Sequence, residues 1–322
     1  MIKTYLFTKQ GIEHDVPVEN WQALVSDECN LLWVDARSFT EEELNKLVGL
    51  FNFHSVAVRS CLDGYSRPHL SEFADHFYVN LTVVKRGRGE HGLRPSELHL
   101  FVGAKFVVTL TKDEKSEAVE KAIGEMSGSP AICERGPMYA VFLLAEDLVE
   151  TYQPIIEDLD DEADKLETVV LERADPKALR KIQDIKRQGF ELRKLLGPQR
   201  DIFGEFVRRD FPFIQGENLV YFQDVYNRMI RLFDMLDTVR EIMSGSLDIY
   251  LSTISNKLNE VMKVLTVAAT ILMLGSFFTG FFGMNFRHLP WLESPNAFRN
   301  ISIFLGAVTA GMLLWFRRKG WL

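Results

Sequence analysis

The residue with the most to offer chemically is Asn285, a carboxamide that closes a long charge-free run. From Val264 to Phe286 no side chain is charged, and the run exceeds the ~20 residues a helix needs to cross a bilayer core. Ahead of Asn285, one heptad-spaced face holds Met262, Thr266, Ala269, Met273, Ser276 and Gly280. These are small or soft groups, whereas the other faces carry Leu, Ile and Phe. Such a stripe reads first as a surface for close helix packing. With Asn285 at its outer end it also reads as the wall of a polar path. Several copies around one axis would bring their Asn285 amides into a ring, whose oxygens can accept hydrogen bonds from the water shell of a cation. Mg²⁺ dehydrates reluctantly, so a ring that grips its waters suits it better than a cage that strips them.

The remaining reactive residue types form weaker patterns. His69, Glu72 and His76 would share a helix face as a metal-ligand set. The Arg67-Pro68 turn and the alternation from Phe77 point instead to a loop entering a strand, which leaves scattered histidines, His91 and His99 among them. Asp158, Asp160, Asp161, Glu162 and Asp164 make a dense acidic stretch, readable as a solvated helix face or as a cation-attracting one. The chain has no phosphate-cradling glycine loop and no nucleophile elbow, so no enzyme chemistry is legible. Its net charge of −8 argues against a nucleic-acid binder, which needs a basic face. That charge suits simple solubility or the concentration of cations. Cys29, Cys61 and Cys133 are widely spaced, without a CxxC pair, and read as reduced thiols. The N-terminal MIKTYLF lacks the long apolar region of a signal peptide.

The elements that must position Asn285 begin with two membrane spans. The first is the run above. The second is Ile301–Phe316, extended by Ala297 and Phe298, with Trp315 and Trp321 placed for an interface. Lys263 precedes the first span and Arg317, Arg318 and Lys319 follow the second, so both ends face the cytoplasm and the loop from Arg287 to Asn300 faces outward. Upstream, Phe222, Val225, Met229, Leu232, Leu236, Val239 and Met243 repeat at alternating spacings of three and four. That is a heptad seam, which predicts coiled-coil packing against other helices. No proline occurs from Gly216 to Phe286, so one helix can run from a stalk into the membrane, about 100 Å long for roughly 65 residues. Gly245 and Ser246 are possible kinks.

Residues 1 to about 135 read as mixed α and β. Strands are predicted at Lys3–Lys9, Leu31–Asp35, Phe77–Lys85, Leu98–Val102 and Phe106–Thr111. Thr40-Glu41-Glu42-Glu43 is a capping box opening a helix toward Leu50, and Ser116–Met126 is another helix. Helical spacing of Leu148, Tyr152, Ile155, Leu159 and Leu166 then takes over. Pro176 fits the first turn of a further helix, and Gly197-Pro198 is expected to break it.

Ser255–Phe286 closely resembles the membrane-entry helix and Gly-Met-Asn motif of the CorA magnesium transporters, here Gly283-Met284-Asn285. The C-terminal FRRKGWL resembles the basic tail of that family, and weaker similarity covers most of the chain. The resemblance implies an α+β membrane protein with a CorA-like cytosolic funnel. An N-terminal cytosolic α/β domain (1–137) is followed by a helical stalk with acidic helices (138–262). A transmembrane domain (263–322) completes it, with spans at about 264–285 and 298–317. It further implies a homopentamer in the cell (inner) membrane, in contact with lipid and divalent cations and with no nucleic-acid partner. Mg²⁺ is transported and also regulatory, and no organic cofactor is needed. Gly283, Met284 and Asn285 become the selectivity filter. Asn259, Met262, Leu265, Met273, Ser276 and Gly280 line the pore, with Leu265 in place of its neighbour Thr266.

Three departures from the family stand out. Leu274 occupies a position where the family has proline. The outer loop reads Leu289-Pro290-Trp291-Leu292, which passes an acidic role to Glu293 beside Arg287 and His288. Asp248 matches one residue of the intersubunit regulatory metal site, but its partner position reads Ser60, with Asp63 nearby. His288 at the outer mouth keeps a zinc transporter of ZntB type open, and cobalt or nickel with it, since softer ions prefer imidazole. A membrane-anchored metal sensor or scaffold is the alternative from another class.

Overall fold

The computed structural model describes residues 1–27, 30–63, 67–86, 93–128, 135–172, 175–208, 214, 218–284 and 295–321. They form two compact units. One comprises Met1–Thr168 and Arg180–Ser244; the other comprises Val169–Leu179 and Gly245–Leu322.

The first unit is built on a seven-stranded sheet. Its strands are β1 (Ile2–Thr8), β2 (Gly11–His14), β3 (Leu31–Arg37), β4 (His69–Glu72), β5 (His76–Arg86), β6 (Leu93–Gly103) and β7 (Phe106–Thr111). Their order is β2-β1-β3-β7-β6-β5-β4. Only β3 and β7 run parallel. Every residue of both is buried, as expected of strands covered on both faces. Alternation divides β3 cleanly. Leu32, Val34 and Ala36 join a core with Leu44, Leu47 and Phe51 of α2 (Glu41–Phe51) and Ala57 and Cys61 of α3 (Ser55–Leu62). The predicted capping box starts α2: the Glu43 N–H donates to Thr40 Oγ1 (3.2 Å) and the Thr40 N–H to Glu43 Oε2 (3.0 Å). Such a cap contributes about 1 kcal/mol, less than the ~1.5–3 kcal/mol from burying each of Leu44, Leu47 and Phe51.

Three long helices join the unit: α5 (Pro137–Glu172), α6 (Pro176–Arg208) and the first part of α7 (Asn218–Phe282); α1 (Trp21–Leu24) and α4 (Glu117–Ser127) complete it. Phe77 of β5 meets Phe206 of α6 edge-on at 5.8 Å, and Phe206 meets Phe222 of α7 at 5.2 Å. β4 pairs with β5 only as far as Asn80. Beyond it, the Thr82 N–H donates to Gln199 Oε1 (2.9 Å) and the Thr82 carbonyl accepts from Tyr152 Oη (3.0 Å). Pro95 sits in β6 opposite Val84, outside the stretch His99–Val102 that pairs with β7. There its missing N–H breaks no ladder, so β6 starts at Leu93 rather than at the expected Leu98.

Gly197-Pro198 does not end α6, which continues to Arg208. Proline removes one backbone donor and disturbs the preceding turn. Here, however, the Gln199 amide donates to the Leu195 carbonyl (3.0 Å) while its oxygen holds β5. A Cβ on Gly197 would touch Phe233 at 3.5 Å, so the glycine brings α6 close to α7. The cost of the proline is offset by burial of Leu196 and Gln199. Pro176, by contrast, opens α6 as expected, beside an Asp175 carboxylate that accepts from the Lys177 N–H (2.9 Å).

A buried polar network closes the sheet interior. Trp33 Nε1 donates to Thr109 Oγ1 (3.1 Å), Thr109 donates to Asp35 Oδ1 (2.9 Å), and Arg37 Nε donates to Asp35 Oδ2 (2.7 Å). Arg37 also pairs with Glu120. Burial lifts the Asp35 carboxyl above its ordinary range, against the pull of Arg37 and Thr109. Breaking one side of such a pair leaves a charge without its counterpart, at about 3–5 kcal/mol. Asp35→Ala is therefore expected to lower stability by about that much in urea denaturation followed by tryptophan fluorescence. A loss under ~1 kcal/mol would mean that Glu120 alone satisfies Arg37.

The second unit holds the rest of α7 and α8 (Ala297–Arg318). Both helices are long and apolar enough to cross a membrane, and only 6% of the apolar window of α7 and 0% of that of α8 is buried. A soluble core helix would be mostly covered. Phe278 of α7 meets Phe304 of α8 edge-on at 5.6 Å. α8 ends in a Schellman motif: the Trp321 N–H donates to the Phe316 carbonyl (3.0 Å) and the Gly320 N–H to the Arg317 carbonyl (3.1 Å). Gly320 has φ +67°, a conformation glycine adopts without a Cβ penalty. The accompanying apolar contact is the stack of Trp321 on Phe316 at 5.6 Å. Lys319 lies over Trp315, 4.8 Å from its ring centre.

Candidate functional site

Six of the site residues expected from sequence fall on one face of α7. On an ideal helix Asn259, Met262, Leu265, Met273, Ser276 and Gly280 fall within an arc of about 120°. All six are exposed in the single chain, Met273 most openly among the apolar ones at 72%. Phe278, which meets α8, and Val267, which is buried, lie roughly opposite that arc. The stripe is therefore turned away from the chain's own second span. Asp248 is also exposed, about three turns before Asn259 on the same side. Asn285 and Glu293 lie outside the described residues, as do Arg287, His288 and the segment Leu289–Leu292.

Hydrogen bonding sorts the hydroxyls of this helix. Thr266 donates to the Met262 carbonyl (2.7 Å), Thr270 to that of Thr266 (2.6 Å) and Thr279 to that of Gly275 (2.9 Å). Threonines often bond the preceding turn in this way. Ser276 makes no such bond among the described residues, so its hydroxyl is open to whatever lines that face. Spacing alone had admitted Thr266 to the stripe and could not separate it from Ser276.

The end of α7 explains the glycine of the triplet. The Gly283 N–H donates to the Thr279 carbonyl (2.9 Å), and a Cβ on Gly283 would come within 2.9 Å of that same oxygen. No side chain fits without moving the last turn, from which Met284 follows.

The stalk seam packs against other helices, as its spacing predicts. Phe222, Val225, Met229, Leu232, Leu236, Val239 and Met243 are all buried within the first unit. The seam is thus covered by the chain's own helices, as the Phe142–Phe222 and Phe206–Phe222 contacts illustrate, and is not left free for another copy. Periodicity reports a buried face without naming what buries it.

The weaker candidates resolve differently. His69 and Glu72 lie on strand β4 and His76 opens β5, so the helix face that would gather them does not exist. His76 is buried, bonded to Asp75 Oδ1 (2.6 Å) and packed against Phe53 and Phe73. His99 bonds the Tyr78 hydroxyl (2.8 Å), and burial lowers its pKa to about 4, which keeps it neutral. Cys61 is buried, and burial pushes its thiol up to about 12; Cys29 and Cys133 lie outside the described residues. In the acidic stretch of α5, Asp158, Asp161, Glu162 and Asp164 are exposed. Burial, followed by Asp164 and Asp161, raises Asp160. The Ser60 hydroxyl bonds its own helix at the Val56 carbonyl (3.3 Å).

Comparison with known proteins gives a consistent result. The family model described as CorA-like Mg²⁺ transporter protein matches residues 29–318. The cobalt/magnesium transport protein CorA of Thermotoga maritima is 31% identical over 299 residues, 92% of this chain and 85% of that protein. The zinc transport protein ZntB of Pectobacterium carotovorum is 23% identical, over 83% of this chain and 80% of its own length. Among solved structures, that of the CorA magnesium transporter from Methanocaldococcus jannaschii superposes with a TM-score of 0.81 at 24% identity. The match covers 99% of this chain and 98% of that one. The fold is therefore the full-length CorA fold: a soluble N-terminal domain with a mixed sheet, a long helix and two C-terminal apolar helices.

Proposed function

The chain belongs to the family of CorA-like Mg²⁺ transporters, and on that premise we propose that it is a homopentameric channel for hydrated Mg²⁺. As a member of a transporter family it is not an enzyme, and the reading invokes no organic cofactor. The spans at about 264–285 and 298–317 cross the cell (inner) membrane with both termini in the cytoplasm. Residues 1–137 and 138–262 form the cytosolic funnel. The observation that supports this most directly is the exposed stripe on α7, turned away from α8.

Five such stripes around an axis line a path with Asn259 at the inner end and Asn285 at the outer. Met262, Leu265 and Met273 form apolar rings that close by dewetting. Asn259 and Ser276 offer oxygens to the ion's waters. Gly280 leaves room, and Gly283-Met284-Asn285 is the filter. Glu293 adds negative charge at the mouth, and Asp248 takes part in sensing cytosolic Mg²⁺. A negative-inside potential drives entry, worth about 4.6 kcal/mol per 100 mV for a divalent ion.

The test is flux into proteoliposomes with Mg²⁺, Zn²⁺, Co²⁺ and Ni²⁺ in competition, with and without a pH gradient. Mg²⁺ entry competed by Co²⁺ and indifferent to the gradient is expected. The similarity to ZntB proteins, together with His288 in the outer loop, favours zinc as the second reading. Proton-coupled Zn²⁺ uptake without Mg²⁺ entry would establish that reading instead. In the same vesicles Asp248→Ala is expected to need several-fold more Mg²⁺ on the cytosolic side to halt flux, and inhibition identical to the parent would remove it from the sensor.

A further inference from the structure

The first unit contains a cavity of about 820 Å³, within the ~300–1,000 Å³ range of small-molecule sites. The basic residues Arg67, Arg193, Lys194 and Arg200 line it, against two acids, Glu191 and Asp201. Arg193 and Arg200 each lie over the Phe233 ring at 4.3 Å from its centre. Both are also ion-paired: Arg200 to Asp201 (2.8 Å) and Arg193 to Asp237. Stacking and pairing hold the two guanidinium groups in place. Arg67 and Lys194 make no ion pair among the described residues, and only Glu191 remains to oppose them. This local excess of positive charge sits in a chain whose net charge is −8. Phe190 lines it too and is 68% exposed, so its aromatic face is open to a ligand.

From this juxtaposition we infer that the cavity is a binding site for a nucleoside di- or triphosphate. Fixed guanidinium groups and a mobile ammonium suit phosphate oxygens. An apolar floor with an uncovered aromatic ring suits a base, which inorganic phosphate lacks. The site is separate from the ion path and does not depend on which cation the protein carries.

The test uses the purified full-length protein in detergent, titrated calorimetrically with ATP, ADP, inorganic phosphate and adenosine. Divalent cations are left out, because a polyphosphate also chelates them. Saturable ATP binding is expected, at least ~10-fold tighter than inorganic phosphate, with adenosine silent. Arg67→Glu/Lys194→Glu is expected to weaken ATP by at least ~10-fold while oligomeric state and nucleotide-free flux stay as in the parent. Phe190→Ala is expected to weaken ATP but not phosphate. No saturable ATP binding, or equal binding by the charge-reversed variant, overturns the proposal. So does charge reversal that dissociates the oligomer with no nucleotide bound, which would show the cavity to be a contact between copies.

Discussion

Asn285→Ala is expected to cut divalent-cation uptake by ~100-fold or more while the protein still assembles and folds. In the proposed pore, five carboxamide oxygens take hydrogen bonds from the ion's first water shell. If each bond is worth about 0.5–1.5 kcal/mol, their loss withdraws several kcal/mol from the carboxamide ring at the entrance, and ~1.4 kcal/mol is already a factor of ten. An alanine methyl presents an apolar surface to a strongly hydrated ion. The structural consequence is small, because the residue follows the last turn of α7, which Gly283 and Thr279 shape through their own backbone contact. The measurement is radiotracer or fluorescent-indicator uptake into proteoliposomes, with oligomer mass read in parallel. Uptake within twofold of the parent, at unchanged mass, would remove the carboxamide from selectivity.

How much of this was legible in sequence depends on which physical signal a residue emits. Thr40 and Glu43 announced α2 because a capping box is local chemistry, complete within four residues. The apolar runs of β3 and β7 announced strands because both faces are buried, and the charge-free run of α7 announced a span. Gly197-Pro198 misled because the compensation is tertiary: Gln199 reaches β5, and Phe233 needs the glycine. β4 was invisible because three of its four residues are a histidine, a serine and a glutamate, and its strand state comes from pairing with β5. The heptad of α7 was read correctly as a seam buried against other helices, but spacing carries no information about which helices do the burying. Within the candidate site, residue type singled out Asn285, Met273 and Ser276 as candidates. Only hydrogen-bond geometry separated Ser276, whose hydroxyl is free of the helix, from Thr266, whose hydroxyl is turned back on it.

Met273→Ala is expected to produce a channel that leaks. Met273 is the most exposed of the apolar residues on the α7 stripe, and the helix places it mid-span, away from α8. In the proposed pentamer its thioether is one of five that narrow the path to an apolar constriction. Water leaves such a neck because too few partners remain for its hydrogen bonds, and a hydrated divalent ion cannot follow. Truncation to alanine removes three heavy atoms per subunit and widens the neck until water stays in it. Flux under closing conditions, with high Mg²⁺ on the cytosolic side, should rise by ~10-fold or more, whereas open-state selectivity, set at Asn285, should be little changed. Met273→Leu supplies the control. It keeps the volume and the apolar character, so a neck closed by dewetting stays closed and one that depended on sulfur chemistry does not. Equal leakage from both variants would keep the gate at Met273 but overturn dewetting as its mechanism, and a tight Met273→Ala variant would place the gate at another ring, with Met262 and Leu265 on the same face the next to examine.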